Sequence, residues 1–356
     1  MAVHLMTWDF DLQAEFPHFV SLQLTRSYYG LGSFTLQVAQ QARGADQLAI
    51  GRVIFLSNAL HKAMLIEKVV TKDGKITASG KPLKGMAARR LCVPPTIDDG
   101  YFGWDRYIGS AEAAYHHYAA ANLYNPEDEK RKVPRLVGGP NQDRGVSLPW
   151  QSRFGNLDAL FADIGAVTGI GWDIVPDFGG RAYIFQAVEG RDLSTGPQKV
   201  VLSEGNRNAN KVALTVDTTA QRTTAYVGGS GEDENRLILS EGNALEGLER
   251  REVWVDAGSI FATEMLALAG QKRLETAGEK RTLNAEILDS GLCRYERDYD
   301  VGDIVNLSGA GGHAATRLLE MRETYEAGGR KLDAIFGDEP ITITSALRGV
   351  TPSAVR

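Results

Sequence analysis

Apolar and polar residues alternate with a period of two through the first ninety positions of this 356-residue chain. Val20, Leu22 and Leu24 are interleaved with Ser21, Gln23 and Thr25, and Phe34, Leu36 and Val38 with Thr35 and Gln37. Successive side chains of a strand point to opposite faces, so this pattern is satisfied by a half-buried sheet and by no helix. Tyr28 to Ser33, with Gly30 and Gly32, supplies the turn between the two runs. Val53 to Leu56 forms a third strand. Met64 to Thr71 and Lys75 to Ser79 flank Lys72-Asp73-Gly74, a hairpin signal because Gly tolerates positive φ without steric cost. Five strands with short turns predict a small barrel or sandwich. The 39 glycines suit many turns better than a helical bundle.

The pattern has an echo near the other end. Ala49-Ile50-Gly51-Arg52-Val53-Ile54 is followed by Met64-Leu65-Ile66-Glu67, by Asp73-Gly74-Lys75-Ile76 and by Gly80. Asp300-Val301-Gly302-Asp303-Ile304-Val305 is followed by Arg317-Leu318-Leu319-Glu320, by Gly328-Gly329-Arg330-Lys331-Leu332 and by Gly337. Each set reads as turn glycine, strand, strand with an apolar-to-Glu step, glycine hairpin, strand, glycine. An alternating strand precedes each, Phe34 to Val38 and Leu283 to Leu288. Short β periodicities also recur by chance, but the shared order predicts two related β-modules with α-rich material between them.

Between the modules the periodicity changes. Leu83 to Leu91 reads as a short helix, ended by Pro94-Pro95. Ser110 is placed to cap a helix from Ala111 to Leu123, and 125–147 reads as a mostly exposed connection. Leu157, Leu160, Phe161, Ile164 and Val167 share one face of a second helix, started by Ser152 or Asn156 and ended by Gly169. Strands follow at Trp172 to Val175, Ala182 to Val188, Lys211 to Val216 and Thr223 to Val227. A longer helix is expected over 258–276, with Ser259 as cap and Phe261, Met265, Leu266 and Leu268 on its apolar side. Strands at Ile304 to Leu307, Arg317 to Tyr325 and Lys331 to Phe336 close the chain. The fold class expected is α+β, mainly β.

Composition narrows the function. Hydrophobic content of 43% and charged content of 24% are those of a soluble globular chain, and the length suits two or three domains. A formal charge of −6 argues against a dedicated nucleic-acid binder or an anionic-membrane binder. The first ten residues lack a basic start and apolar run, and no stretch reaches about 18 consecutive apolar residues, so neither a signal peptide nor a membrane span is expected. Synthesis and retention in the cytoplasm are expected. Cys92 and Cys293 lie in no C-x-x-C pair and read as two free thiols, with one disulfide the alternative.

The sequence carries no recognisable catalytic pattern. His4, His18, His61, His116, His117 and His313 show no i, i+4 spacing with a Glu, and adjacent His116 and His117 point about 100° apart on a helix. Asp298, Asp300 and Asp303 surround Gly302 at the wrong offset for a calcium loop and read as turn residues. Glu232-Asp233-Glu234 reads as a solvated loop tip. Gly228, Gly229 and Gly231 lack the Gly-Lys-Ser/Thr of a phosphate loop, Gly169-Ile170-Gly171 follows a helix, and Ser147 and Ser152 lie in no nucleophile elbow. No catalytic, cofactor-binding or metal-binding residue is assigned, no cofactor is expected, and the chain is read as a non-enzyme.

The order of segments resembles the siphophage tail hub (tail-associated) family, whose fold is similar to that of the myophage baseplate hub. The resemblance is carried by Leu22 to Tyr29, Gly32-Ser33-Phe34, Ile50-Gly51-Arg52, Leu65 to Lys68, Thr77 to Gly80 and Leu91. It continues through Asn156-Leu157, Gly169 to Trp172, Val227 to Glu232, Arg236, Gly247 to Glu252, Val255-Asp256 and Asp298 to Val305. It runs from about residue 20 to 337, weakest over 94–150.

The resemblance implies two tube-type β-barrel domains with an inserted α/β region. These are 1–92, a first barrel; 93–205, the insertion; 206–345, a second barrel holding the 258–276 helix; and 346–356, a C-terminal tail. It implies a structural hub at the tail tip of the virion, a homotrimer that joins a sixfold tube to a threefold tip and lines the DNA channel. Implied partners are a distal tail or tail tube protein, the tape measure protein and a central fibre or spike. DNA would only pass through, for which a mildly acidic subunit and an acidic lumen are suited. A fibre or peptidoglycan-cutting module, with the chain ending at Arg356, would be a separate protein. The rival readings are a host carbohydrate- or receptor-binding module, a peptidoglycan hydrolase and the hub of a contractile injection machine.

Overall fold

The computed structural model describes residues 1–97, 100–101, 103–231, 233–242, 244–257, 263–289, 293–309 and 312–337. Most of its strands join one 13-stranded sheet. The expected alternation is realised almost position by position. In Ser33–Ala39, Phe34, Leu36 and Val38 are buried and their neighbours are not. The fold is mainly β.

Two stretches of this sheet repeat one topology. In the first, the neighbours run Ser21–Ser27, Ser33–Ala39, Lys75–Pro82, Ala59–Lys72, Val53–Leu56. In the second they run Ala209–Asp217, Lys280–Ile287, Gly329–Gly337, Gly312–Glu326, Ile304–Gly309. In each case a hairpin-like pair comes first in sequence, then the short strand, the long strand and its return. The Gly turns match in detail. Gly51 (φ +85°) and Gly302 (φ +101°) are both left-handed, a conformation that costs Gly little. Gly51 N donates to Ile66 O at 2.9 Å and Gly302 N to Leu318 O at 2.8 Å. Ile66 N returns to Arg52 O and Leu318 N to Asp303 O, each at 2.9 Å.

These bonds set Ile66 level with Leu318. The apolar-to-Glu steps that drew attention in the sequence are therefore one residue out of register. Both long strands bulge at the next position, between Ile66 and Lys68 and between Leu318 and Glu320. Glu67 is thus the counterpart of Leu319, not of Glu320. A bulge inserts one residue without a partner and resets which face follows, which residue-by-residue matching cannot see.

The modules are also joined. The second half of the long strand Gly312–Glu326 pairs antiparallel with Ser21–Ser27, from Glu320 opposite Ser27 to Tyr325 opposite Leu22. The strand path is open among the described residues, so two closed, separate barrels are not seen. Val3–Met6 and Leu12–Phe16, unrecognised in the sequence, extend the sheet beyond Val53–Leu56.

Helices Ala111–Ala119 and Leu157–Thr168 pack with the sheet Leu136–Gly138, Ala182–Glu189, Ile170–Asp177 around Tyr115, Phe161, Trp172 and Phe185. Ser110 caps the first helix by accepting from Ala113 N at 3.1 Å. Gly169 (φ +75°) ends the second, and Asn156 sits at its cap position without a capping side-chain bond. The segment expected as a helix over 83–91 is a tighter 3₁₀ run, Leu83–Arg89. The connection over 125–147 is mostly exposed, as expected, but buries Val133 and Leu136 and contributes a short parallel strand. Its Arg144 is recruited by buried Glu112, at 2.8 Å, a partner 32 residues earlier that no local pattern announces.

Between Ala209–Asp217 and Lys280–Ile287 lies a small α/β unit. Its strands are Ile238–Glu241, Thr224–Gly228 and Glu252–Asp256 in that spatial order, with helix Thr263–Thr276 against them through Leu266 and Ala269. Ser259 and Phe261, expected at the start of that helix, Glu232 of the acidic loop, and the 346–356 tail lie outside the described residues.

Candidate functional site

Inside the joint between the modules lies a cluster of charge. The long strand of the first module brings His61 and Lys62; that of the second brings Glu323 and Tyr325, with Arg330 on its return. Glu323 occupies the inward parity set by Met321, a position where the period predicts an apolar side chain. Its side chain is 0% exposed and that of Lys62 is 1% exposed, so neither could be ionised there alone. Lys62 Nζ lies 2.5 Å from Glu323 Oε1 and 2.8 Å from Glu296 Oε1. The other Glu323 oxygen accepts from Arg330 at 2.7 Å and from Tyr325 Oη at 2.6 Å. Arg330 also holds Asp289 at 2.9 Å. Arg26 reaches across from the first module to Asp300 at 2.7 Å and Tyr295 Oη at 3.0 Å.

Burial pushes the Glu296 carboxyl up, but hydrogen bonds from His61 and Lys62 and the charges of Lys62 and Arg26 override it and hold the group at about 2. Burial raises the Tyr295 and Tyr325 hydroxyls, so both stay protonated, Tyr325 donating to Glu323 and Tyr295 accepting from Arg26. An ionised acid clamped by cations, beside tyrosines that do not release protons, is suited to cohesion rather than proton transfer.

A second set of contacts fastens the inserted region to the same joint. Lys84, 3% exposed, donates to Ser27 O at 2.9 Å, Tyr28 O at 3.3 Å and Trp172 O at 2.8 Å, and lies 4.6 Å from the Trp172 ring centre. Burial lowers its pKa to about 8. Tyr28 Oη donates to Val188 O at 2.7 Å and accepts from Gly190 N at 2.9 Å. Its ring occupies the space a side chain at Gly171 or Gly302 would need. Arg191 grips buried Asp303 at 2.5 Å.

The residues weighed as ligands are dispersed. His4 stacks on Phe55, His18 is exposed, His61 joins the cluster through Glu296, and His117 bonds Asp105 at 2.7 Å while adjacent His116 faces Tyr124. Asp298, Asp300 and Asp303 serve turns and ion pairs: Asp298 accepts from Arg294 N and Asp303 from Asp300 N. Among the described residues no group of three or more His, Cys, Asp or Glu is placed to hold a metal. Cys92 and Cys293 are both free, and burial raises the Cys92 thiol to about 12. Sequence reasoning missed Lys62, Lys84, Glu296 and Glu323. For Lys62 and Glu323 the available signal was charge at inward strand positions; Lys84 lies in the 3₁₀ run and Glu296 in a turn, where no period marks them.

The sheet face turned away from the core is polar. A shallow groove on it is lined by Lys211, Arg322 and Lys331 and by Glu286, Glu320 and Asp333. Three bases against three acids make this groove mixed in sign.

Solved structures of two tail proteins share this fold. The 43 kDa tail protein of prophage MuSo2 from Shewanella oneidensis superposes with a TM-score of 0.59 at 10% identity, covering 95% of this chain and 99% of that one. A tail protein from Neisseria meningitidis MC58 superposes with a TM-score of 0.58 at 15% identity, covering 97% and 98%. At such identities the likeness is one of fold. The family is shown by sequence: the model of the Siphovirus ReqiPepy6 Gp37-like proteins matches residues 2–338, and the chain belongs to that family. It is a structural protein of the phage tail and hence a virion component. No curated protein sequence matches it. Among the described residues no helix is long and apolar enough to cross a membrane.

Proposed function

We propose that the chain is the tail hub subunit, three copies of which form a ring that joins the sixfold tail tube to the threefold tip and lines the DNA channel. The observation that carries this reading is the repeated five-strand module with its matched glycine turns and bulges. Two like modules in each of three copies offer six like surfaces around one axis, which is what docking on a sixfold ring requires. Each module takes the part of a tube-type barrel, within units 1–92 and 206–345. The 93–205 insertion buttresses the joint. The hub works without catalysis. Its partners are the other two copies, a distal tail or tail tube protein, the tape measure protein and a central fibre or spike. It is made in the host cytoplasm and resides at the tail tip. DNA only passes through, and a polar groove of mixed sign gives a strongly charged backbone nothing to adhere to.

The test is an image of purified tails carrying a tagged copy, with the chain counted per particle. Three copies in a ring at the tip are expected. Six copies, or label along the tube, would refute the reading.

A further inference from the structure

The small α/β unit presents one open sheet face. On the other face, Leu266 and Ala269 of the helix Thr263–Thr276 cluster with Ala225, Val227, Val253 and Val255. Parity sends the intervening residues to the open side. Tyr226 has Trp254 as its partner on one neighbouring strand and Ser240 on the other, and Gly228 has Asp256 and Ile238. Cross-strand partners share a face, so these side chains and that of Glu252 form one surface. Trp254 is 50% exposed and Ile238 55%. Every other tryptophan of the chain is buried or half-buried.

The rings on this surface are held in place. Gly228 leaves room for Trp254: a methyl group at Gly228 would lie 2.5 Å from the indole, so the ring extends over the sheet where only glycine allows it. Arg236 has its guanidinium carbon 5.2 Å from the Trp254 ring centre. It donates to Gly229 O at 3.1 Å and Gly228 O at 3.2 Å and pairs with Asp256. Arg250 attends the second ring, donating to Tyr226 Oη at 3.0 Å and pairing with Glu252 at 2.7 Å. Two rings, two guanidinium groups and two carboxylates therefore stand at fixed positions, and the formal charge of the set is zero.

That balance selects the ligand. An anion would meet Asp256 and Glu252, and a cation Arg236 and Arg250, in each case by competing with a pair already made. A neutral polyhydroxylated molecule disturbs neither pair: its hydroxyls donate to carboxylate lone pairs and accept from guanidinium N–H groups while the pairs stand. The flat C–H face of a sugar ring, whose hydrogens carry partial positive charge, stacks on the negative face of an aromatic ring. Neighbouring strands stand about 4.8 Å apart, close to the advance per sugar in an extended β-1,4-linked chain. We infer that this face of the α/β unit binds a neutral β-1,4-linked oligosaccharide, with one sugar on Trp254 and the next toward Tyr226. This is a binding function added to the structural one, and it does not depend on the hub reading.

The purified chain tests it, with cellotetraose and chitotetraose as probes. Titration calorimetry is expected to show saturable binding of at least one of them. Trp254→Ala should lower that affinity at least tenfold while its melting midpoint stays within about 1 °C of the parent, because the residue is exposed. Trp254→Phe should retain most of the affinity. Saturation-transfer NMR on the unaltered chain, with the aromatic protons irradiated, should mark the C–H protons of the sugar, a result independent of how any variant folds. Fully deacetylated chitotetraose, which keeps the backbone and carries a positive charge on each sugar at mildly acidic pH, should bind at least tenfold more weakly than chitotetraose or cellotetraose. Three results would each overturn the inference: no binding or saturation transfer with either neutral tetramer at millimolar concentration, undiminished affinity in Trp254→Ala, or equal affinity for the cationic tetramer. Loss of tail incorporation by Trp254→Ala without binding of either neutral tetramer would overturn it in favour of a protein partner on the same face.

Discussion

Replacing Glu323 by Gln tests whether the buried cluster holds the modules together. The change keeps shape and removes one charge. Glu323 uses both oxygens as acceptors, one from Lys62 at 2.5 Å and the other from Arg330 at 2.7 Å and Tyr325 at 2.6 Å. A Gln amide has one acceptor oxygen and one donor nitrogen, so it must turn an N–H toward a cation. It also leaves Lys62, 1% exposed, relying on Glu296 alone. Removing one member of a buried ion pair costs about 3–5 kcal/mol. The remaining contacts of Lys62 to Glu296 and of Arg330 to Asp289 place the expected loss near the lower end, about 3 kcal/mol. At roughly 2 °C per kcal/mol for a chain of this size, the midpoint falls by about 6 °C. Thermal unfolding of the purified chain by circular dichroism measures it, with exposed Arg322→Gln as a control expected to shift by less than about 1 °C. A Glu323→Gln midpoint within 1 °C of the parent would refute the account of the joint.

The paired glycine turns make a second test. Gly302→Ala should cost about 3 kcal/mol or more, because φ is +101° and the new methyl meets the Tyr28 ring. Gly51→Ala should cost only about 1 kcal/mol, since nothing lies within 4 Å; urea titration compares them. Glu296 has a folded pKa of about 2, below its ordinary 4.5, so its stabilisation is complete above about pH 4.5 and is lost as pH falls toward 2. That displacement corresponds to roughly 3 kcal/mol, and acid titration of the parent against Glu296→Gln should show the parent's extra stability vanishing across this window. Lys84→Met should cost about 2–3 kcal/mol in the same urea assay, because the carbonyls of Ser27, Tyr28 and Trp172 lose their donor; an unchanged midpoint would show that water replaces it.

The strands were legible where burial is one-sided. Phe34, Leu36 and Val38 announce their face, and the Asp73-Gly74 hairpin is where its chemistry places it. The repeat was legible as an order of turns and strands but not in register, because a bulge leaves no mark on composition. The small α/β unit around Thr224–Gly228 was seen only as a strand and a helix. Its strands are short and its core of Ala225, Val227, Leu266 and Ala269 is small. The joint was marked in the sequence only by charge at two inward strand positions. Lys62 and Glu323 stand 261 residues apart, and each reads locally as one more polar residue in a strand. Only their pairing across the sheet makes them compatible with burial.

The pairing of Gly312–Glu326 with Ser21–Ser27 also has a mechanical side. Six registered residue pairs, Glu320–Ser27 to Tyr325–Leu22, cross from one module to the other. Splaying the modules would break them together, so the two halves behave as a stiff plate with no hinge between them. Were three such plates to wall a conduit, as proposed above, its bore would be fixed, and its valve would be another component that plugs the pipe or is pulled out of it.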